Sequence, residues 1–440
     1  MTAPAITDGI PADGSPAAVY AQLEPASQRV YRILGALPLP VLDAEVTAAA
    51  CALAWAEADW ILQVFEEEKL IEHTGHPGDA DDRLPRYRYT EAARAHAAEL
   101  SDGEEVAALG RLAGWILVCA RASQRELAPH QLQPGLPPPG AHPGGAGLDF
   151  PFHPTDHPAI LEWLERQGAN LPALLAALEE RGRRPDLVWR IVDGWWPLFQ
   201  RRRPHPLWAD AHRAGLAAAR TDGDRAGERR MLLSGAIGLL DAGQHGEAAD
   251  WNTAARDAAR TEGDARDEGQ ALYGLALVRL AEQHVEDATA LVAQALTQWE
   301  SCGYRRGEAL AQIVLAQCVM GDQPRRAVDL LTCARKTLGA EPGSDHHQVR
   351  ARALRGHALL LAEDPAAALT DLETAQSEFP DDDTSTWPTR TRAWLSQARK
   401  ALPPGQGPAP APDAPATPPV PPAPDHPGPS TGAQVEGERR

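Results

Sequence analysis

Residue types that could carry out catalysis or hold a metal occur in this sequence only in isolated patterns. The two histidine pairs are His153/His157 in a Pro-rich stretch and His346/His347 after Asp345 in a polar turn. A metal site needs three or four convergent ligands, which neither pair offers. The sequence has no GxSxG or HExxH motif and no convincing Cys-His arrangement. We therefore predict no catalytic residues, no metal, no cofactor and a protein that is not an enzyme.

Three other features could bind a partner, and each also has a simpler interpretation. Arg201–Arg203 is the most basic stretch and could contact an acidic partner or nucleic acid, but a solvated turn between helices is favoured. Trp195 and Trp196 could anchor a ligand, although core packing is favoured. The PxxP spacing over 412–421 could dock in an aromatic groove, and a flexible tail is the favoured alternative.

The balance of charges and cysteines limits the class of protein. Of 440 residues, 61 are acidic and 42 are Lys or Arg, which gives a formal net charge of −19. Phosphate backbones repel such an acidic chain, which argues against a general nucleic-acid coat protein. The five cysteines are scattered without a CxxC pair, the pattern of buried, reduced thiols. Since the sequence shows neither a signal peptide nor an apolar run near the ~20 residues of a membrane span, we expect a soluble, cytoplasmic protein.

The first part of the chain has the pattern of three helices followed by a hairpin. Asp43 can cap the second helix, and the third, over 56–68, is expected to bury Trp60. Two short extended segments, 70–72 and 86–89, follow and are joined by a polar loop. Three helices with such a hairpin make a winged helix, and two further helices are predicted after it.

The most informative property of the remaining chain is a period of 40 residues. Gly223, Gly263, Gly303 and Gly343 recur at this spacing in polar turns, each before a pair of helices. The second helix of each pair carries small residues seven apart, which is two helical turns, so both lie on one face. These residues are Ala248/Ala255, Ala288/Ala295, Ala327/Ala334 and Ala368/Ala375. Such units resemble tetratricopeptide repeats, although their period exceeds the usual ~34 residues, and stacking supplies their core.

Proline and glycine separate these parts, because runs rich in them do not form regular helices or sheet cores. The predicted segments are a disordered N-terminus (1–17), a winged-helix domain with following helices (18–128), a Pro/Gly-rich linker (129–158), helices leading into a solenoid (159–204), tetratricopeptide-like repeats (205–400) and a disordered Pro-rich tail (401–440). The predicted fold is mainly α, a winged helix plus a right-handed α-solenoid.

The order of these parts resembles the C-terminal half of AfsR-like regulators of actinobacteria. Those regulators belong to the STAND class, in which an NB-ARC nucleotide-binding module precedes a winged helix and tetratricopeptide repeats. The likeness lies in segments 23–37 (LEPASQRVYRILGAL), 55–70, 129–139, 159–178 and 194–200 (GWWPLFQ). It covers about residues 20–380 and implies a module for regulation and signal transduction.

The sequence departs from that family where nucleotide would bind. It contains no GxxxxGK[ST] loop and no Gly-Lys dipeptide, so the N–H cradle and the lysine that hold phosphates are missing. The family's nucleotide-sensing His-Asp pair is replaced by Thr90 and Glu91. The resemblance therefore implies a sensor half without its own ATPase, acting with a separate nucleotide-binding or DNA-binding protein.

A winged helix could also bind DNA, which leaves a second interpretation open. Arg83, Arg86 and Arg88 lie at the predicted wing, where they could contact phosphates. The third helix, the usual reader of the major groove, ends in Glu66–Glu68 and suits a phosphate-walled groove poorly. A structural role is therefore favoured, and the alternative is a transcriptional regulator whose winged helix binds DNA and whose repeats receive a signal.

The favoured function is a non-enzymatic scaffold or regulatory module that binds a peptide or protein partner, with no membrane contact. A superhelix of repeats offers a concave groove for such a partner. Helical periodicity places polar side chains of the first helix of each unit toward this groove. The predicted partner-binding residues are Arg229, Arg230, Gln270, Gln312, Gln317 and Arg352.

Overall fold

The structure is a computed structural model that describes residues 15–74, 84–131, 150–153, 155–341, 343–379 and 385–402. The PxxP segment, Arg83, and most of the predicted linker and of both predicted disordered ends lie outside these ranges. Within them the chain is almost entirely helical, with one two-stranded sheet. The prediction of a mainly α fold is confirmed.

The helices and strands fall into three consecutive groups. The first comprises α1 (Pro16–Tyr20), α2 (Pro25–Ala36), α3 (Ala44–Cys51), α4 (Trp55–Glu67), β1 (Ile71–His73), β2 (Tyr87–Tyr89), α5 (Glu91–Glu99) and α6 (Glu104–Leu127), followed by a 3-10 turn at Pro129–Gln131. The second comprises α7 (His157–Gly168), α8 (Leu171–Ala177), a π turn at Leu178–Gly182, α9 (Pro185–Gly194) and α10 (Trp196–Arg202). The third comprises α11 (His205–Asp222), α12 (Arg225–Asp241), α13 (His245–Glu262), α14 (Ala265–Ala281), α15 (Val285–Cys302), α16 (Arg305–Val319), α17 (Pro324–Leu338), α18 (Asp345–Leu361), α19 (Pro365–Glu378) and α20 (Trp387–Ala401).

The winged helix is formed by α2, α3 and α4 with the hairpin of β1 and β2. Asp43 Oδ1 accepts a 2.7 Å hydrogen bond from Val46 N and caps α3, as the sequence predicted. The two strands pair antiparallel, with Ile71 opposite Tyr89. Both of these side chains are buried, so one face of the hairpin closes the core over the helices.

The predicted burial of Trp60 is wrong. On α4 the core face carries Ile61 and Phe65, which are four residues apart and almost completely buried. Trp60 precedes Ile61 by one residue and is therefore turned about 100° away from that face. As a result, 38% of Trp60 and 44% of Trp55 are exposed.

The long helix α6 lies at the centre of the first two groups, in contact with α3 on the winged helix and with α9. By length and composition alone it could cross a membrane, and half of its most apolar stretch is buried within the protein. Leu109, Leu112 and Ile116 belong to a hydrophobic core that continues from Val19 to Ala271. The winged helix, α7–α10 and the first repeat helices therefore share one core.

The third group folds into antiparallel helix pairs, as the 40-residue period predicted. Gly223, Gly263, Gly303 and Gly343 have φ between 68° and 72°, a left-handed conformation that favours glycine after a helix or in a turn. The paired alanines of α13, α15, α17 and α19 are all completely buried. Successive first helices also touch, since α14 contacts both α12 and α16. We call α12, α14, α16 and α18 the A helices.

The expectation of buried thiols holds for part of the cysteine set. Cys51 and Cys119 are buried, and burial raises the pKa of Cys51 to about 12. Cys302 and Cys333 are exposed and Cys318 is intermediate. The two exposed thiols lie on α15 and α17.

Candidate functional site: the A-helix face of the repeats

The turns between repeats determine where the A helices begin. Asp224 Oδ1 accepts a 2.9 Å hydrogen bond from Gly227 N, and Asp264 Oδ1 accepts one of 3.0 Å from Asp267 N. These bonds cap α12 and α14. Because the units have 40 residues, equivalent positions recur at 226, 266, 306 and 346 and, one turn later, at 230, 270, 310 and 350.

Three of the six predicted partner-binding residues converge on one cavity. Arg229 and Arg230 of α12 and Gln270 of α14 line a cavity of about 280 Å³. Trp196 and Tyr304 contribute aromatic walls. This part of the A-helix face therefore combines guanidinium and amide donors with aromatic surface, a combination suited to binding a polar chain.

The structure does not bring the other three predicted residues to this cavity. On α16, Gln317 Nε2 lies 3.5 Å from the carbonyl oxygen of Ile313 in its own helix. Gln312 is half-buried, and its Oε1 finds no hydrogen-bond partner among the described residues. On α18, Arg352 pairs with Glu378. These three stay predictions for a partner that would extend further along the solenoid.

Arg229 holds neighbouring helices together. Only 6% of Arg229 is exposed, and its guanidinium pairs with Asp264 and Asp267, each at 3.2 Å, and with Glu262. Burial lowers the pKa of Arg229, but its hydrogen bond to Asp267 and the charges of all three carboxylates outweigh burial, so the pKa is raised. The N–H donors of Arg229 are thus used within the protein. Arg229 therefore positions α12 and α14 and does not offer hydrogen bonds to a partner.

Arg230 contacts the short turn that follows α6, and so do two arginines that the sequence analysis missed. Arg230 NH2 donates to the carbonyl oxygen of Gln131 at 2.8 Å. Arg266 NH2 donates to the carbonyl oxygen of His130 at 3.0 Å, and Arg306 NH2 lies 3.3 Å from His130 Nε2. One arginine from each of three successive A helices therefore meets the same turn.

We call Arg230, Arg266 and Arg306 the arginine face and Pro129–Gln131 the internal turn. The signal that could have identified Arg266 and Arg306 is the repeat period itself, since they occupy equivalent positions 40 residues apart. Periodicity within a single helix, which we used for the prediction, does not compare one unit with the next. No sequence pattern indicated that the internal turn would lie on this face.

The basic stretch Arg201–Arg203, at the end of α10, differs from the predicted solvated turn. Arg201 NH2 donates to the carbonyl oxygen of Leu127 at 3.2 Å, and Arg202 and Arg203 pair with carboxylates of α7 and α12. The stretch ends α10 and ties it to three other helices. The neighbouring Trp195 and Trp196 are buried, as core packing requires.

The wing and the histidine pairs offer less as binding sites. Arg88 Nε lies 2.6 Å from Glu72 Oε1 on the other strand, and Arg86 is exposed. His153 Nδ1 lies 2.9 Å from Thr155 Oγ1, within a local turn. In the part of the chain that the structure describes, no group of three or more His, Cys, Asp or Glu side chains is placed to hold a metal ion.

Fold and site together define a helical-repeat module that carries a winged helix. The sequence is similar to the regulatory protein AfsR of Streptomyces griseus, with 30% identity over 311 residues and 66% of this chain. It is also similar to AfsR of Streptomyces coelicolor, with 28% identity over 330 residues and 71% of this chain. The resemblance to AfsR-like regulators is therefore confirmed. The chain spans 29% and 31% of the length of these relatives.

Comparisons with family profiles and solved structures add little to this relationship. No family model matches the sequence. A signal transduction ATPase with numerous domains (STAND) from Pyrococcus horikoshii, with a tetratricopeptide repeat sensor, aligns at a TM-score of 0.41 and 14% identity, over 87% of this chain and 61% of its own. Aspartyl phosphate phosphatase F of Bacillus subtilis aligns at 0.39 and 9% identity, over 81% of this chain and 83% of its own. At these TM-scores neither likeness carries an argument about this chain.

Proposed function

We propose that the chain is a non-enzymatic regulatory module that binds an extended peptide or protein segment on its A-helix face. Similarity to regulatory proteins supports the regulatory part. The observation that supports peptide binding is the internal turn, because the consecutive carbonyls of His130 and Gln131 accept hydrogen bonds from Arg266 and Arg230. A surface that holds the chain's own backbone in this way has the donors to hold the backbone of a partner.

Site-specific photo-crosslinking tests this proposal without removing any element of the fold. A photoreactive amino acid replaces Gln270, which lines the cavity on the A-helix face. The matched control carries it at Gln294, an exposed glutamine on α15. We expect a partner protein to be captured from lysate at position 270 and not at position 294. Equal capture at both positions, or none at 270, would contradict binding on this face.

The alternative, a DNA-binding winged helix, receives less support from the surface of α4. The position of the usual recognition helix exposes Trp60 together with the carboxylates Glu57, Glu66 and Glu67. Carboxylates repel the phosphates that line the major groove. Titration of a labelled duplex at increasing salt tests this alternative, and a steep fall in affinity that Arg86→Gln weakens would favour DNA binding over our proposal.

A further inference from the structure

Two arginines of the A helices are buried to a similar degree but have opposite electrostatic surroundings. Arg229 is 6% exposed and pairs with three carboxylates. Arg306 is 3% exposed, and among the described residues it forms no ion pair with a carboxylate. Its guanidinium donates to Ser344 Oγ at 2.9 Å and contacts His130 Nε2 at 3.3 Å. A buried cation without a counter-charge is unfavourable, so a negatively charged group would complete the surroundings of Arg306.

The two groups that the Arg306 guanidinium contacts directly, the Ser344 hydroxyl and the His130 imidazole, are neutral. Burial and the neighbouring Arg266 charge lower the pKa of Arg306. His346 and His347 lie nearby, with ring centroids 3.9 Å apart and the rings tilted by 41°, and burial together with the arginine charges lowers the pKa of both. The charge of Glu341 favours the charged form of Arg306, but among the described residues the two side chains form no ion pair. This end of the arginine face therefore has a positive potential in a chain of net charge −19.

The groups of the internal turn that face these arginines are all neutral acceptors. Arg230 donates to the Gln131 carbonyl oxygen but is already paired with the buried Asp193 carboxylate at 2.6 Å. Arg266 donates to the His130 carbonyl oxygen, and Arg306 faces the His130 imidazole. Burial, followed by the charge of Arg306, lowers the pKa of His130 to about 3, so its ring is neutral and Nε2 can accept. A carboxylate can accept two parallel hydrogen bonds from one guanidinium and also supplies the opposite charge, which a carbonyl oxygen or a neutral imidazole does not.

We propose that the arginine face is a binding site for an extended acidic peptide, whose carboxylates displace the internal turn and pair with Arg266 and Arg306. This inference rests on the proposed function and specifies the chemistry of the partner. The internal turn then acts as a built-in competitor, since the same donors cannot serve both chains. Pro129 packs against the turn of Gly343, where an added Cβ would lie 3.0 Å from Pro129 Cδ. The internal turn thus contacts α12, α14 and α16 and the turn before α18.

Fluorescence anisotropy with the full chain and defined peptides tests the site. The probe is a fluorescein-labelled hexaglutamate, and hexaglutamine is its neutral counterpart. We expect hexaglutamate to bind at least tenfold more tightly than hexaglutamine. Arg306→Gln should weaken hexaglutamate binding at least tenfold. Arg305→Gln is the matched control, because it removes the same charge next door from a side chain that is 68% exposed and pairs with Glu308.

A second pair of variants tests the competition and guards against misfolding. His130→Ala removes the acceptor that faces Arg306 and should strengthen hexaglutamate binding at least threefold. Arg266→Gln changes an exposed residue and should weaken binding even if Arg306→Gln fails to fold by circular dichroism.

Equal binding of the two peptides, or equal affinities of the Arg306→Gln and Arg305→Gln proteins, would overturn the acidic-peptide site. An unchanged affinity after His130→Ala would overturn the displacement of the internal turn. If a partner is crosslinked at position 270 but hexaglutamate does not affect its binding, the proposed function is supported and the acidic-peptide site is refuted. If neither the crosslink nor peptide binding is observed, both the proposed function and the acidic-peptide site are refuted.

Discussion

Replacing Arg166 with Met should remove a stabilising contact between the winged helix and the helices that follow it, and so lower the free energy of unfolding. Arg166 NH2 lies 2.9 Å from both carboxylate oxygens of Glu45, and the two side chains are 11% and 7% exposed. Trp163 Nε1 donates to the same carboxylate at 3.1 Å. This contact joins α7 to α3 across 121 residues of sequence. The Arg166→Met variant keeps much of the side-chain volume but leaves the Glu45 carboxylate without its counter-charge.

The expected loss depends on pH in a defined direction. Burial, and then the nearby Asp43 charge, raise the pKa of Glu45 from 4.5 to about 7. A carboxyl whose pKa is raised on folding contributes stability below pH 4.5 that is lost as the pH rises through about 7. At pH 8 the unpaired carboxylate of the variant should cost about 3 to 5 kcal/mol of unfolding free energy. At pH 5 Glu45 is protonated in both proteins, so the loss should fall to about 1 kcal/mol for the missing hydrogen bonds.

Urea denaturation followed by tryptophan fluorescence at pH 5 and pH 8 measures both values. The control is Arg184→Met, which removes a surface pair with Asp186 (2.8 Å, Arg184 49% exposed) and should cost less than about 1 kcal/mol at either pH. Adding Glu45→Gln to Arg166→Met should restore most of the stability at pH 8. A loss that is the same at pH 5 and pH 8, or that Glu45→Gln does not repair, would refute the reasoning.

Two further predictions concern close helix contacts and acid stability. Gly194→Ala places a Cβ 2.7 Å from Ala120 Cβ and should destabilise the protein by about 1–3 kcal/mol in urea denaturation. The control Gly114→Ala, which has open space around it, should stabilise the protein by up to about 1 kcal/mol. Equal effects of the two substitutions would contradict the packing of α9 on α6. Burial lowers the pKa of His212 from 6.5 to about 4. The stability that the neutral His212 contributes is therefore present above pH 6.5 and is lost as the pH falls through about 4, a loss of up to about 3 kcal/mol of unfolding free energy. His212→Gln should largely abolish this acid-induced loss. Unfolding free energies measured at pH 7 and pH 4 check this, and equal acid sensitivity of wild type and variant would contradict it.

The sequence by itself determined the repeat architecture and the caps of its helices. Gly223 and its three equivalents mark turns that need a positive φ, and the paired alanines mark the seams where helices approach closely. Asp43 likewise marks the start of a helix through a bond to a residue three positions away. These features are local or periodic, so the chemistry of a short segment is sufficient to predict them.

The tertiary structure alone decided which polar side chains are available for a partner. Arg229 and Arg306 look alike in the sequence, yet one is surrounded by three carboxylates and the other faces His130, which lies 176 residues away in the chain. The burial of Arg306 likewise depends on how distant elements pack. Helical periodicity gives the direction of a side chain, but the charge and shape that it meets come from segments whose approach no local pattern encodes.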